Sequence, residues 1–148
     1  MKLKQRVLFF CKHNSCRSQM AEAYLKKLAP DQFEAISAGL YPQMIHPLVY
    51  LVMQEDGIDI AGQTAKSIDL YLGKELLDWV IIVCQEGEAE CPQLMPLALH
   101  TERWPLADPA KKTGPKEEVV DAFRQTRDAV KQRVQNWLTM HNYPDKTD

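Results

Sequence analysis

The 148-residue sequence predicts an α/β domain built on a parallel sheet, and three observations predict it. Short apolar runs rich in β-formers alternate with segments of helical periodicity. The run Trp79-Val80-Ile81-Ile82-Val83 is continuously apolar, the pattern of a parallel strand covered on both faces. No linker, internal repeat or low-complexity segment divides the chain, so one domain spanning residues 1–148 is expected.

Arg6-Val7-Leu8-Phe9-Phe10 forms the first strand, and the polar loop Cys11 to Arg17 follows it. From Ser18 the residues Met20, Ala21, Tyr24, Leu25 and Leu28 recur at helical spacing until Pro30 closes the segment. Phe33 to Ala38 is the second strand, ended by Gly39, and Pro47 suits the first turn of a helix running to about Gly57. Asp78 to Val83 is the strongest strand, with Cys84 at its carboxyl end, and a weaker one spans Ala98 to Trp104. Beyond Pro115, the series Val119, Phe123, Val130, Val134, Trp137 and Leu138 marks a long amphipathic helix, and the tail from Asn142 is expected to fray. Ligands in such sheets bind at the carboxyl ends of the strands, where the loops carrying Cys11 and Cys84 both emerge.

Eighteen basic residues against twenty acidic ones leave a formal charge of −2, with no field to hold nucleic acid or an anionic membrane. Any anion site must be local. The apolar run at the start is too short for a signal-peptide core or a membrane span, so a cytoplasmic protein is expected. In that reducing compartment, four cysteines point to catalysis, redox chemistry or metal binding before a structural disulfide framework.

The loop Cys11-Lys12-His13-Asn14-Ser15-Cys16-Arg17-Ser18 leaves a strand and enters a helix, which aims backbone N–H groups and the positive helix end into one concavity. The spacing Cys-x5-Arg sets a thiol beneath a bound oxyanion and a planar guanidinium beside it. That field favours the nucleophilic thiolate of Cys11, and the Ser18 hydroxyl stands ready to donate to it or to a leaving group. Taken alone the spacing also arises by chance; the strand-to-helix context and the Asn14-Ser15 pair favour the functional reading. Cys16 suits packing better than chemistry, and His13 a solvated loop imidazole.

Cys84 and Cys91 stand seven residues apart. A helix would separate their Cα atoms by about 10.5 Å and an extended chain by about 23–25 Å, whereas a disulfide needs roughly 4.4–6.8 Å. They pair only if the segment leaves regular structure, as Gly87 and the glutamates around it permit. The plain alternative is a buried strand-end cysteine and an unrelated loop cysteine. Zinc is not expected from Cys11, His13, Cys16, Cys84 and Cys91, because structural zinc sites favour close Cys-x2-Cys pairs and the gaps here are wider.

The stretch from Val7 to Glu22, through Cys11-Lys12-His13-Asn14-Ser15-Cys16-Arg17-Ser18-Gln19-Met20-Ala21, resembles the signature of thioredoxin-coupled arsenate reductases, which share the fold of low-molecular-weight tyrosine phosphatases. Ser37-Ala38-Gly39, Gly57-Ile58-Asp59-Ile60 and Gln63-Thr64 follow in the same order, so the similarity reaches about Pro109. The resemblance implies a three-layer domain with a four-stranded parallel sheet and helices on both faces. It also implies arsenate reduction in arsenic detoxification: Cys11 attacks arsenate held by residues 12–18, Arg17 included. Asp108 of Asp108-Pro109, otherwise a common turn, protonates the departing oxygen. Family reductases carry two cysteines at the spacing of Cys84 and Cys91, which implies a relay ending in a disulfide that thioredoxin reduces, with no organic cofactor; a monomer is expected. Trp104-Pro105-Leu106 and Phe123-Arg124-Gln125-Thr126-Arg127 resemble a branch served by glutaredoxin and glutathione, which leaves the reductant open.

Two other functions compete. One is a tyrosine phosphatase using Cys11, Arg17 and Asp108 alone, but phosphatases of this fold carry aromatics after Asp-Pro, and here Ala110-Lys111-Lys112 follows. The other is a non-enzymatic oxyanion-binding redox sensor. The resemblance raises one further point: some relatives hold potassium through residues matching Asn14, Glu22 and Ser37 plus a carboxylate at the position of Lys66. Lys66 either takes the ion's place or points into water.

Overall fold

The computed structural model describes residues 3–74, 76–84 and 98–141. Four strands, β1 (Gln5–Cys11), β2 (Phe33–Gly39), β3 (Leu77–Ile82) and β4 (Ala98–Arg103), form one sheet in the order β2-β1-β3-β4 with every pair parallel. Among the described residues the α-helices are α1 (Arg17–Leu28), α2 (Pro47–Glu55) and α3 (Lys116–Met140). The expected elements are present with ends shifted by a residue or two. The expectations for Cys91 and for the tail from Asn142 fall outside the described residues.

The apolar runs explain the layering. Val7, Leu8, Phe9 and Phe10 are all fully buried, because β1 is central and each successive side chain enters the opposite face. Val7 and Phe9 pack with Met20 and Tyr24 of α1, Val49, Val52 and Met53 of α2, and Phe123, Val130 and Trp137 of α3. Leu8 and Phe10 pack instead with Ala38, Val80, Ile82 and Cys84, under a short 3-10 helix at Ile68–Leu70 and the neighbouring Tyr71 and Leu72. Both faces are therefore covered, one by the three long helices and the other, among the described residues, by the 68–72 segment.

The strand order positions the site. The chain runs from β1 through α1 to β2 on one side, then crosses to β3 on the other, so the direction of winding reverses between β1 and β3. At that reversal the loops at the carboxyl ends part and leave a crevice. The Cys11 loop leaves β1 there, and Cys84 lies two residues beyond β3.

Candidate active site

The loop from Cys11 to Cys16 is turned inside out by its carbonyl bonds. Leu40 N–H donates to the Cys11 carbonyl (3.1 Å), Tyr41 to Lys12 (2.8 Å), Gln43 to His13 (3.0 Å) and His46 to Ser15 (3.1 Å). The Gln19 amide donates to the Asn14 carbonyl at 2.9 Å. Five successive carbonyls thus bond outward, which turns the loop's N–H groups toward the concavity. The Asn14 N–H reaches the Cys11 sulfur at 3.1 Å. Helix α1 begins at Arg17, and its N-cap Cys16 makes no side-chain capping bond, so the first-turn N–H groups also face the concavity.

Asn14 carries the strain of this turn. Its φ of 55° lies in the left-handed region, which asparagine tolerates better than most residues. Its Oδ1 accepts from the Gln19 amide (2.9 Å) and from Lys66 N–H (2.9 Å), and its Nδ2 donates to Ser18 Oγ (2.8 Å). Ser18 Oγ lies 2.9 Å from the Cys11 sulfur. The Asn14 N–H and the Ser18 hydroxyl thus both contact the Cys11 sulfur.

Gly39 at the end of β2 makes room. A Cβ there would sit 2.8 Å from the Asn14 nitrogen and from the His13 carbonyl carbon, and 2.9 Å from the Lys12 oxygen. All three are backbone atoms, so only glycine lets the loop lie this close to β2.

Arg17 and Asp108 close the concavity that Cys11, His13, Ser15 and Cys16 also line. The Arg17 side chain is buried; its Nη1 donates to the Leu106 carbonyl at 2.8 Å and its Nη2 lies 3.8 Å from Asp108 Oδ2. Asp108 caps a 3-10 helix at Pro109–Lys111 by accepting from Ala110 N–H (3.0 Å), which fixes its carboxylate over the opening. His13 is half-buried on this wall rather than standing in solvent. Cys16 is buried in the main core, where burial, against a Ser15 hydrogen bond, pushes its thiol up to about 12. It stays protonated and packs.

The candidate thiols separate cleanly. Cys11 and Cys16 are free, whereas Cys84 is fully buried and disulfide-bonded. Cys11 belongs to the helix-covered core and Cys84 to the cluster on the other face. The two thiols thus follow neighbouring strands at the same edge of the sheet but lie on opposite faces of it.

Two lysine ammoniums gather at Glu22, where the resemblance places a potassium ion in some relatives. This buried carboxylate accepts from Ser37 Oγ (2.5 Å) and from Lys26 Nζ (2.5 Å). Lys66 Nζ lies 3.7 Å away and donates to the Thr64 carbonyl at 2.7 Å. The ammonium occupies the neighbourhood of Glu22 and does not point away into water. Among the described residues no three His, Cys, Asp or Glu side chains gather as a metal-binding group, and no helix is long and apolar enough to cross a membrane.

Several residues that build the site were read from the sequence only as parts of a motif. Gln19 donates to the Asn14 carbonyl, to Asn14 Oδ1 and to the Thr64 carbonyl, and accepts from Gln63. Gly39 and Leu106 act through backbone contacts that no local pattern reveals.

Residues 6–145 match the family described as low molecular weight phosphotyrosine protein phosphatase. An arsenate reductase of Shouchella clausii is 37% identical over 134 residues, covering 90% of this chain and 95% of the relative. A protein of Synechocystis sp. named glutaredoxin arsenate reductase is 37% identical over 134 residues, 90% of this chain and 96% of its own. Among solved structures, an arsenate reductase in the phosphate binding state superposes with a TM-score of 0.74 at 35% identity, over 92% of this chain and 98% of that one.

Proposed function

The chain belongs to the low molecular weight phosphotyrosine protein phosphatase family, and from that premise we propose that it is a cytoplasmic arsenate reductase working by a three-thiol relay. Relatives named arsenate reductase match over nearly their whole length, which supports the reaction. The observation that supports the relay is a second cysteine, Cys84, two residues beyond β3, the strand paired with the one that ends at Cys11. A phosphatase needs no thiol there.

The thiolate of Cys11 attacks arsenate held by the loop amides and Arg17. An S–As bond forms, an As–O bond breaks, and Asp108 protonates the departing oxygen so that it leaves as water. Cys84 thiolate then attacks the Cys11 sulfur. The S–S bond forms, the S–As bond breaks, and its electron pair stays on arsenic, which leaves as arsenite. Cys91 attacks Cys84 next, freeing Cys11 and creating a Cys84–Cys91 disulfide for a dithiol reductant, thioredoxin or glutaredoxin with glutathione.

Arsenite formation assayed separately with thioredoxin, with glutaredoxin and glutathione, and alongside hydrolysis of an aryl phosphate tests the reading. Arsenate-dependent turnover with one of the two reductant systems is expected. Phosphatase turnover without arsenite from either would overturn it.

A further inference from the structure

The resolving thiol has a cation beside it that the relay as stated does not use. Arg103 is the last residue of β4, and its Cα pairs with Ile82 of β3 in parallel register. Trp104, buried next to it, donates its N–H to the Ile82 carbonyl at 2.8 Å and so pins the end of β4 against β3. From that anchored position the exposed Arg103 side chain reaches over the strand end, and Nη1 donates at 3.2 Å to the sulfur of Cys84, which is disulfide-bonded in this structure. Phe10, Ala38 and Ile82, the sulfur's companions in the cluster, are apolar.

We infer that Arg103 is a positioning residue for the relay: once the disulfide at Cys84 is reduced, the guanidinium that already reaches this sulfur favours its thiolate at the end of β3. A fully buried thiol among apolar side chains resists ionisation, yet only the thiolate attacks a sulfur. A guanidinium within hydrogen-bond distance opposes the effect of burial. Its action passes through Cys84. This inference rests on the arsenate-reductase reading for its purpose but not for its chemistry.

The Brønsted relation makes the effect distinguishable from a structural one. An opposite charge this close moves an ionisation midpoint by about one unit or more. Removing it costs up to about tenfold in thiolate at neutral pH. The thiolate that does form is about threefold more nucleophilic for each unit of added basicity. Below the midpoint the net loss is therefore about three- to fourfold, and above it the sign reverses.

The test uses protein carrying Cys11→Ser, Cys16→Ser and Cys91→Ser, so that Cys84 is the only thiol, and follows alkylation by uncharged iodoacetamide from pH 6 to 10. Arg103→Gln is expected to shift the rate midpoint upward by about a unit, slowing alkylation about three- to fourfold at pH 7 and raising it at pH 10. Arg103→Lys is expected to restore most of the original profile. In protein with all four cysteines, Arg103→Gln should slow single-turnover arsenite release at pH 7 by a similar factor. A pH–rate profile for Arg103→Gln that superposes on the unmodified one overturns the inference. Because alkylation requires no arsenate, a shifted profile in a protein that fails to reduce arsenate sinks the functional reading alone.

Discussion

Lys66→Asp should convert the protein from indifferent to potassium into potassium-dependent. The Lys66 ammonium lies 3.7 Å from Glu22 Oε1, and the two side chains are only 22% and 4% exposed. At an effective dielectric of about 20, opposite unit charges at that separation attract by about 4 kcal/mol, and like charges repel by a similar amount. Aspartate is shorter and Lys26 still pairs with Glu22 at 2.5 Å, so we expect about 2–3 kcal/mol of lost stability in sodium, a discounted share of the Coulomb figure. The substitution also adds a carboxylate beside the Glu22 carboxylate, the Asn14 Oδ1 and the Thr64 carbonyl. Potassium at about a hundred times its dissociation constant would return about 2.7 kcal/mol. For a chain of this length that corresponds to a rise in Tm of roughly 5–10 °C. Thermal unfolding of both proteins in potassium or sodium chloride, at equal ionic strength, reads the difference. A potassium-specific rise in the unmodified protein would refute the reasoning, since an ammonium and a bound cation exclude each other there. So would a Lys66→Asp protein that melts identically in both salts.

Cys11→Ser is expected to abolish arsenate reduction and any aryl phosphate hydrolysis together, whereas Cys91→Ser should lose steady-state turnover yet release one equivalent of arsenite per enzyme. Full thioredoxin-driven turnover by Cys91→Ser would replace the relay with a two-thiol scheme resolved by glutathione. Gly39→Ala must push apart the backbone of the anion loop and β2, because three backbone atoms lie within 2.9 Å of the added carbon. A destabilisation of about 1–3 kcal/mol and weaker phosphate binding by calorimetry are expected. His46 caps α2 by accepting from Leu48 N–H at 3.1 Å, and burial, against the pull of Asp108, holds its imidazole below the ordinary histidine range. The unfolded chain therefore takes up this proton first as pH falls. The stability present at pH 7 should decline through pH 6 and below by up to about 1 kcal/mol, the scale of a cap. Urea titrations at pH 7.5 and 5.5 should show that His46→Asn, whose amide caps at either pH, loses this part of the decline.

What was legible in the sequence was what local chemistry decides. Val7 to Phe10 and Val80 to Val83 announce two-sided burial, and both lie fully or nearly fully buried in the sheet. The Cys-x5-Arg loop announces itself because all its parts are neighbours in the chain. Strand β4 is weakly patterned for a physical reason: it is the edge strand, and Leu99, His100 and Thr101 are exposed. The 3-10 helices at Ile68–Leu70 and Pro109–Lys111 span three residues each, too few for a periodicity. The partners of the site are non-local. Leu106, 89 residues from Arg17, supplies the carbonyl that orients the guanidinium, and Gly39 is needed only because β2 happens to flank the loop.

The face on which each thiol lies belongs to the same non-local class, and it bears on how a relay would run. The register pairs Phe10 with Ile82, and Val83 N–H donates to the Phe10 carbonyl at 2.9 Å, which sets Val83 level with Cys11. Alternation then places Val83 in the core that holds Cys11, and Cys84, one residue on, in the cluster across the sheet. Cys84 cannot meet Cys11 while that alternation continues to its position. The pairing of β3 with β1 ends at Ile82, so the exchange of faces needs rotation only about the bonds between Val83 and Cys84, beyond the last paired residue. Release of a strand end is among the least costly local openings of a sheet. Attack on Cys11 is thereby coupled to leaving the apolar cluster that holds Cys84.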